Sequence, residues 1–356
     1  MKGQQMAKNA KAKNAESVAA AEAAKAANPK PVDDLSMKPV FLIAATVTVI
    51  VSVILTIFAW PFANATPHDL PIGLVSPSAQ FTKSLEGELN KAEPGAFKFT
   101  EYKTKDLASN AILERQIYGA IVINDKPEVI VASGANATVA QLLNNISVQL
   151  SEQLTASQNI KALVIPVNDL APLTSRDPRG LGLNAGSLPL VIAGIVVGIL
   201  GSIRLRRTRQ KFAVAAIAGI VASLAIVSIL NLWLGSLAGN FWLEALVVAV
   251  SIAAVSTSIM GATALAGRAG MLGAIALFFI IGNPLSGVAL APEFYPGGLG
   301  DFGQLLPLGA EINLLRRISF FNFADTSAQW GTLIAWSIIG TGMLLLAKAF
   351  GLPRKR

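Results

Sequence analysis

His68 is the single histidine of the chain, and there is no cysteine. Thiolate chemistry, a disulfide frame and histidine- or cysteine-rich metal sites are therefore excluded. His68 follows an apolar run and reads as a surface residue rather than a base. The sequence holds no Gly-rich phosphate loop leading to Lys and Ser/Thr, no G-x-S-x-G elbow and no His-Glu metal motif. The chain is expected to be no enzyme and to need no cofactor or metal, so nucleotide-driven work must come from a partner. The residues with candidate roles are basic or sit at breaks. Arg204, Arg206, Arg207 and Arg209 crowd the segment RLRRTRQK, and Asn283 and Pro284 interrupt an apolar run upstream of Glu311, Arg316 and Arg317. The first set reads as a topology signal, and the second could form an outer gate.

The scaffold that must position them is a membrane one. The chain is 53% hydrophobic and only 14% charged, with mean hydropathy +0.56, which is outside the range of soluble domains. The net charge of +8 sits where topology needs it: of 29 Lys and Arg, seven lie at or before Lys38, five from Arg204 to Lys211 and four from Lys348 onward. Short basic segments flanking spans follow the positive-inside rule. With no aromatic-interleaved basic groove, nucleic acid is excluded as a partner.

Six spans are expected, arranged one plus five. The first is 39–62, and its 22 or so apolar residues suffice to cross roughly 30 Å of hydrocarbon. The others run near Ser187–Ile203, Phe212–Leu234, Trp242–Ala264, Met271–Val288 and Trp330–Phe350. Ala63-Asn64-Ala65 has the form of a signal-peptidase site, but the basic leader and the apolar run are both too long for a signal peptide. Residues 1–38 read as a disordered cytoplasmic tail. Placing Arg204–Lys211 in the cytoplasm puts both termini there, including the basic end 351–356. It also puts the insert 65–184 and the segment 293–329 outside, with Arg316 and Arg317 as a minor exception.

The insert alternates strand and helix patterns. Strands are expected at Pro71–Val75, Phe97–Tyr102, Tyr118–Ile123 and Glu128–Ala132, with a last one at Leu163–Val167. Helices are expected at Ser76–Ala92, Thr104–Gln116 and Ala135–Gln158. This order implies an α/β domain. Its ten cations against twelve anions set it apart from the basic loops.

Within the membrane domain, 185–350, ionisable residues are nearly absent. Glu244 and Asn231 lie near the outer ends of their spans, within reach of the interface, which argues against a buried carboxylate relay. Ser251, Ser256, Thr257 and Ser258, and the pair Gly194 and Gly198, read as helix-packing positions. Residues 305–321 carry a broad apolar face with Glu311, Asn313 and Arg317 off it. They form either a helix lying in or dipping into the outer interface or a loop helix packed on the bundle.

The order of one span, an α/β insert and five spans resembles the membrane subunits of type-2 ABC exporters, nearest the branch that includes the phage infection protein family. Leu70-Pro71-Ile72-Gly73-Leu74-Val75, Asp106-Leu107-Ala108 leading to Ile117–Ile123, Gly282–Gly287, Leu306-Pro307 and Leu314-Leu315-Arg316 carry the resemblance. It implies a cytoplasmic loop, here Arg204–Lys211, docking on a separate ATP-binding subunit, and a re-entrant segment before the last span. The expected protein is thus a multi-pass protein of a bacterial cell membrane, a homodimer or heterodimer that exports a lipid-like or amphipathic compound. The alternative is a non-transporting receptor or scaffold acting through its ectodomain in envelope or secretion machinery.

Overall fold

The computed structural model describes residues 17–18, 37–76, 78–124, 126–158 and 164–351. The chain divides into two compact units, 1–54 and 55–356. The expected tail before Lys38 and the basic end after Gly351 lie almost wholly outside the described residues, as do Asp125 and Leu163.

Helix α1, Lys38–Ala63, is mostly apolar, with Pro61 near its end; the hydroxyls of Thr46 and Thr48 donate to backbone carbonyls one turn back. The sheet unit follows with β1 (Leu70–Val75), α2 (Ala79–Ala92), β2 (Phe97–Tyr102), α3 (Lys105–Leu113), β3 (Gly119–Val122), β4 (Glu128–Val131), α4 (Ala137–Gln158) and β5 (Val167–Asp169). The sheet order is β2-β1-β3-β4-β5. All pairs are parallel except the β3–β4 hairpin. The continuous apolar run at 119–122 is completely buried because β3 is a central strand covered on both faces. Thr104 starts α3 by accepting a hydrogen bond from Leu107 N at 3.3 Å, with Asp106 in the first turn where the helix dipole favours an acid. The last strand is a correction to the sequence reading: it pairs at 167–169, beyond the expected 163–167, because Asp169 anchors it. The Asp169 carboxylate accepts from Ser133 N at 3.1 Å, Ala171 N at 3.2 Å and Ser133 Oγ at 2.5 Å. Asp169→Ala strands these three donors and is expected to destabilise the sheet unit by about 2 kcal/mol. Thermal unfolding of the full chain followed by circular dichroism checks this, with Glu88→Ala, at an exposed position of α2, leaving the midpoint unchanged.

Five helices among the described residues are long and apolar enough to cross a membrane. They are α1, α5 (Leu181–Arg204), α6 (Thr208–Val227, extended by a π-helical turn Ser228–Trp233), α7 (Phe241–Ile275, extended by another, Ala276–Ile281) and α10 (Ser327–Ala349). In α7, Gly267 adopts φ 65 and ψ −139, which is not helical. A side chain on Gly270 would run into the Ala262 carbonyl oxygen; eight residues apart in an unbroken helix, these groups would be about 12 Å apart. The chain therefore doubles back at Gly267, next to Arg268, and 241–266 and 268–281 are antiparallel neighbours. The turn lies where the sequence separates two spans, but the second helix stops at Ile281 instead of reaching Val288. A π-helical bond, Gly282 N to Leu277 O at 2.9 Å, ends it ahead of Pro284.

Helix α7 is the hub of the bundle. Its Val247, Val248, Ile252, Val255 and Ile259 are essentially inaccessible, packed with Leu190, Val191 and Ile195 of α5 and Leu333 of α10. Gly194 and Gly198 face it as expected: side chains there would lie 2.7 Å from Val255 Cβ and 2.8 Å from Ile259 Cβ. Small residues spaced by four let two helices approach closely where apolar burial alone favours neither partner over lipid.

Candidate functional site

Residues 282–326, which include the segment that the sequence reading expects outside, form a folded unit between α7 and α10. Two single 3₁₀ turns, Pro292–Phe294 and Pro296–Gly298, lead into α8 (Leu299–Gln304) and α9 (Pro307–Phe320). Asn283 and Pro284 form the turn that starts it: Ser286 Oγ donates to Asn283 O at 2.8 Å, and Tyr295 Oη donates to Pro284 O at 2.9 Å.

The orientation of α9 follows from two contacts. Ser251 Oγ donates to Glu311 Oε2 at 2.7 Å, and Ser319 Oγ donates to Glu244 Oε1 at 2.6 Å. Going from residue 311 to 319 advances about 12 Å along α9, and going from 251 to 244 retreats about 10 Å along α7. The two axes therefore run side by side and antiparallel. Ser251 is about 15 Å into α7 from Phe241, so α9 reaches well down the bundle. Trp336, at a similar depth in α10, donates from Nε1 to Leu305 O at 2.7 Å and holds the low end. Helix α9 is thus packed along α7, with most of its residues buried.

This placement corrects three readings. Glu311 does not lie off a buried face, because it is 1% exposed and most of α9 is buried around it. Glu244 does not reach an interface, because it is fully buried and bonded to Gly239 N, Ser319 Oγ and Asn231 Nδ2. Asn231, for the same reason, is turned inward onto that carboxylate. Sequence patterning missed these because α9 and the loop before α7 supply the partners, and a helix seventy residues away cannot be read from a single span.

The sheet unit is tied to the outer segment. His68 N donates to Glu293 O at 2.8 Å, Thr138 Oγ1 to Ala289 O at 3.0 Å and Tyr118 Oη to Glu293 Oε2 at 2.9 Å. His68 thus sits at this junction through its backbone. Arg115 reaches across with Nη2 3.5 Å from Asn313 Oδ1, its guanidinium held over the rings of Tyr118 and Phe321 at 5.6 and 5.1 Å. Arg316 donates to the carbonyls of Gly287 (2.9 Å) and Val288 (2.5 Å). Arg317 donates to Asn313 Oδ1 (3.1 Å) and Asp325 O (2.7 Å). Arg115, Tyr118, Glu293, Gln304, Asn313 and Arg317 line a cavity of about 210 Å³, and Arg316 lines a neighbouring crevice. Desolvation dominates its electrostatics. It pushes the Glu293 carboxyl above the usual range and lowers Arg316 and Arg317 to about 10 each, with the charge of Arg115 adding to the lowering.

All five sequence-chosen gate residues belong to segment 282–326: Asn283 and Pro284 at its starting turn, Arg316 and Arg317 near the sheet unit, and Glu311 deeper, against Ser251. Arg115, Asn136 and Glu293 had no motif to mark them, and Tyr118 stood out only as part of the run 117–123; only the fold brings the four together.

Arg204, Arg206, Arg207 and Arg209 form a separate group. All four are exposed, and among the described residues none has a carboxylate within salt-bridge distance. They lie at the far end of α5, about 35 Å along its axis from Leu181, which follows the Asp177 turn on the sheet side.

Residues 39–203 match the model of the family described as ABC-2 family transporter protein. No curated protein and no solved structure matches the chain. The matched stretch covers most of α1, the sheet unit and nearly all of α5, ending just before Arg204. By that match the chain is similar to ABC-2 family transporter proteins, which supports a membrane-spanning, permease-like subunit of the ABC-2 type.

Proposed function

We propose that the chain is the membrane subunit of an exporter driven by a separate ATP-binding subunit. It would work as a homodimer or heterodimer in a bacterial cell membrane and move a lipid-like or amphipathic compound. The chain itself catalyses no reaction and binds no cofactor in this reading. It has six crossings, the fifth being 268–281 continued by the turns to Val288. Both termini are cytoplasmic and the sheet unit is on the opposite side. The observation that carries the proposal is the bipolar layout: an exposed cluster of four arginines at one end of α5, and the folded outer segment with its cavity at the other. The positive-inside rule assigns the arginine end to the cytoplasm, where an ATPase would dock. The family match at 39–203 gives the reading its chemical class.

Two experiments test it. The chain lacks cysteine, so single cysteines report topology cleanly: Lys103→Cys is expected to react with an impermeant maleimide on intact cells, and Arg206→Cys only after lysis. The reverse pattern would overturn the orientation. Purification from native membranes in mild detergent is expected to retain a nucleotide-binding subunit. Replacing Arg204, Arg206, Arg207 and Arg209 together by Gln should reduce that retention at least about tenfold, as expected for loss of several charge-assisted contacts. Recovery with envelope proteins and no ATPase would instead favour a scaffold.

A further inference from the structure

We propose that the cavity between the sheet unit and the outer segment binds a phosphate group, held directly by Arg115 and Asn136 in the field of Arg316 and Arg317. Two of the unsatisfied buried atoms there are donors. Arg115 Nη1 and Asn136 Nδ2 are both buried and have no hydrogen-bond partner among the described residues. Asn136, 2% exposed, lines with Arg115 and Arg316 a crevice that shares Arg115, Tyr118, Gln304 and Asn313 with the larger cavity of Arg115 and Arg317. A buried donor left without an acceptor is costly, so two lining one crevice point to an acceptor that fills it.

Three further features point the same way. Asn136 Oδ1 caps α4 by accepting from Thr138 N at 3.0 Å and Val139 N at 3.2 Å. The free amide therefore sits at the N-terminus of a 22-residue helix, where the dipole favours an anion. Arg115 has φ 63, left-handed backbone just past the end of α3, a position that favours glycine. A long charged side chain at such a position suggests that the guanidinium itself is needed. The charge balance is also uncompensated. Among the described residues no carboxylate lies within salt-bridge distance of Arg115, Arg316 or Arg317. Glu293 accepts the Tyr118 hydroxyl instead, and Asp325, whose charge acts on Arg317, and Asp301 on the wall are both exposed. A purely structural cluster would account for Arg316 on its two carbonyls and Arg317 on Asn313, but it leaves Arg115 Nη1 and Asn136 Nδ2 unused. Guanidinium forks match phosphate oxygens in pairs, and a helix N-terminus adds a donor field from another direction.

The phosphate could belong to a lipid headgroup or be free in solution. The headgroup source rests on the exporter reading, which puts this junction at the outer membrane–water interface; the site itself does not. The test uses the purified full chain in neutral detergent, without any ATPase. Thermal unfolding is titrated with sodium phosphate, with the short-chain lipid dihexanoyl phosphatidic acid and with sodium chloride at matched ionic strength. A saturable rise in midpoint beyond the chloride control is expected with at least one phosphate probe. A rise with inorganic phosphate identifies a free anion as sufficient, and a rise with the lipid alone identifies the headgroup. Arg115→Gly, which relaxes the left-handed backbone, and Asn136→Asp, which keeps the helix cap but replaces the donor with a charge, are each expected to weaken the apparent affinity at least about tenfold. No rise above chloride, or folded variants that respond like the natural chain, would overturn the proposal and leave the exporter reading untouched. Failure to find an ATPase partner would overturn that reading and leave this site standing.

Discussion

Gly340→Leu is expected to cost about 3 kcal/mol or more and to shift the unfolding of the purified chain accordingly. Gly340 of α10 lies directly against the α7 backbone. A side chain there would meet Thr257 C at 2.5 Å and Thr257 Oγ1 at 2.6 Å, and one on Gly261 would lie 2.7 Å from both Gly340 O and Met343 Cβ. The obstacles are main-chain atoms of two packed helices, so rotamer changes cannot relieve the overlap and the helices must separate. Overpacking of this kind typically costs about 1–3 kcal/mol, and more when backbone has to move. Separation would also break the bond from Ser258 Oγ to Trp336 O at 3.2 Å and loosen Trp336 from Phe278, whose rings meet edge-on at 5.1 Å. Gly342, two residues along the same helix, has open space around its Cα. Gly342→Leu is the internal control, expected to change stability by less than about 0.5 kcal/mol. Measuring both variants by denaturant titration in detergent decides the matter: equal losses would mean that glycine content, not the close crossing, sets the cost.

The same crossing shows what the sequence could and could not reveal. The Gly194 and Gly198 spacing and the hydroxyl-bearing stretch around Ser256 were legible as packing positions, because small residues at helical intervals have few other uses in an apolar helix. The sheet unit was legible for a similar reason: alternation and short apolar runs bounded by turn residues are local signals. The exceptions are instructive. Strand β5 is shifted because a side-chain anchor, Asp169, outweighs apolar content at an edge. Helix 268–281 is shorter than its hydropathy suggests because a π-helical turn and Pro284 end it first. The candidate site was half legible. Arg316 and Arg317 stood out as charges in an apolar neighbourhood, whereas Arg115 and Asn136 sit in ordinary polar positions and become unusual only when the fold buries them opposite other donors.

Glu244 offers the sharpest test of how the outer segment is held. Its Oε1 accepts from Gly239 N at 2.8 Å and Ser319 Oγ at 2.6 Å, and its Oε2 accepts from Asn231 Nδ2 at 2.8 Å. One carboxylate thus joins the π-helical end of α6, the loop before α7 and the last turn of α9. Glu244→Ala leaves Gly239 N and Ser319 Oγ without an acceptor and leaves Asn231 Nδ2 only Gly239 O at 3.3 Å; it is expected to cost about 3 kcal/mol, since each orphaned group forfeits about 1–3 kcal/mol. Glu244→Gln keeps an oxygen for Gly239 and Ser319 but turns an amide toward the Asn231 amide, donor against donor. Asn231→Asp in the natural background sets two carboxylates face to face. Combined, the two substitutions restore complementarity, because the introduced glutamine presents its oxygen to Gly239 and Ser319 while its amide donates to the introduced aspartate. The double variant is therefore expected to be more stable than either single one, with a coupling of about 1 kcal/mol or more in a double-mutant cycle. Additive losses would show that the carboxylate contributes only its volume. Recovery would show that a directional hydrogen-bond network fixes α9 along α7, and so sets the position of Arg316 and Arg317 at the cavity above it.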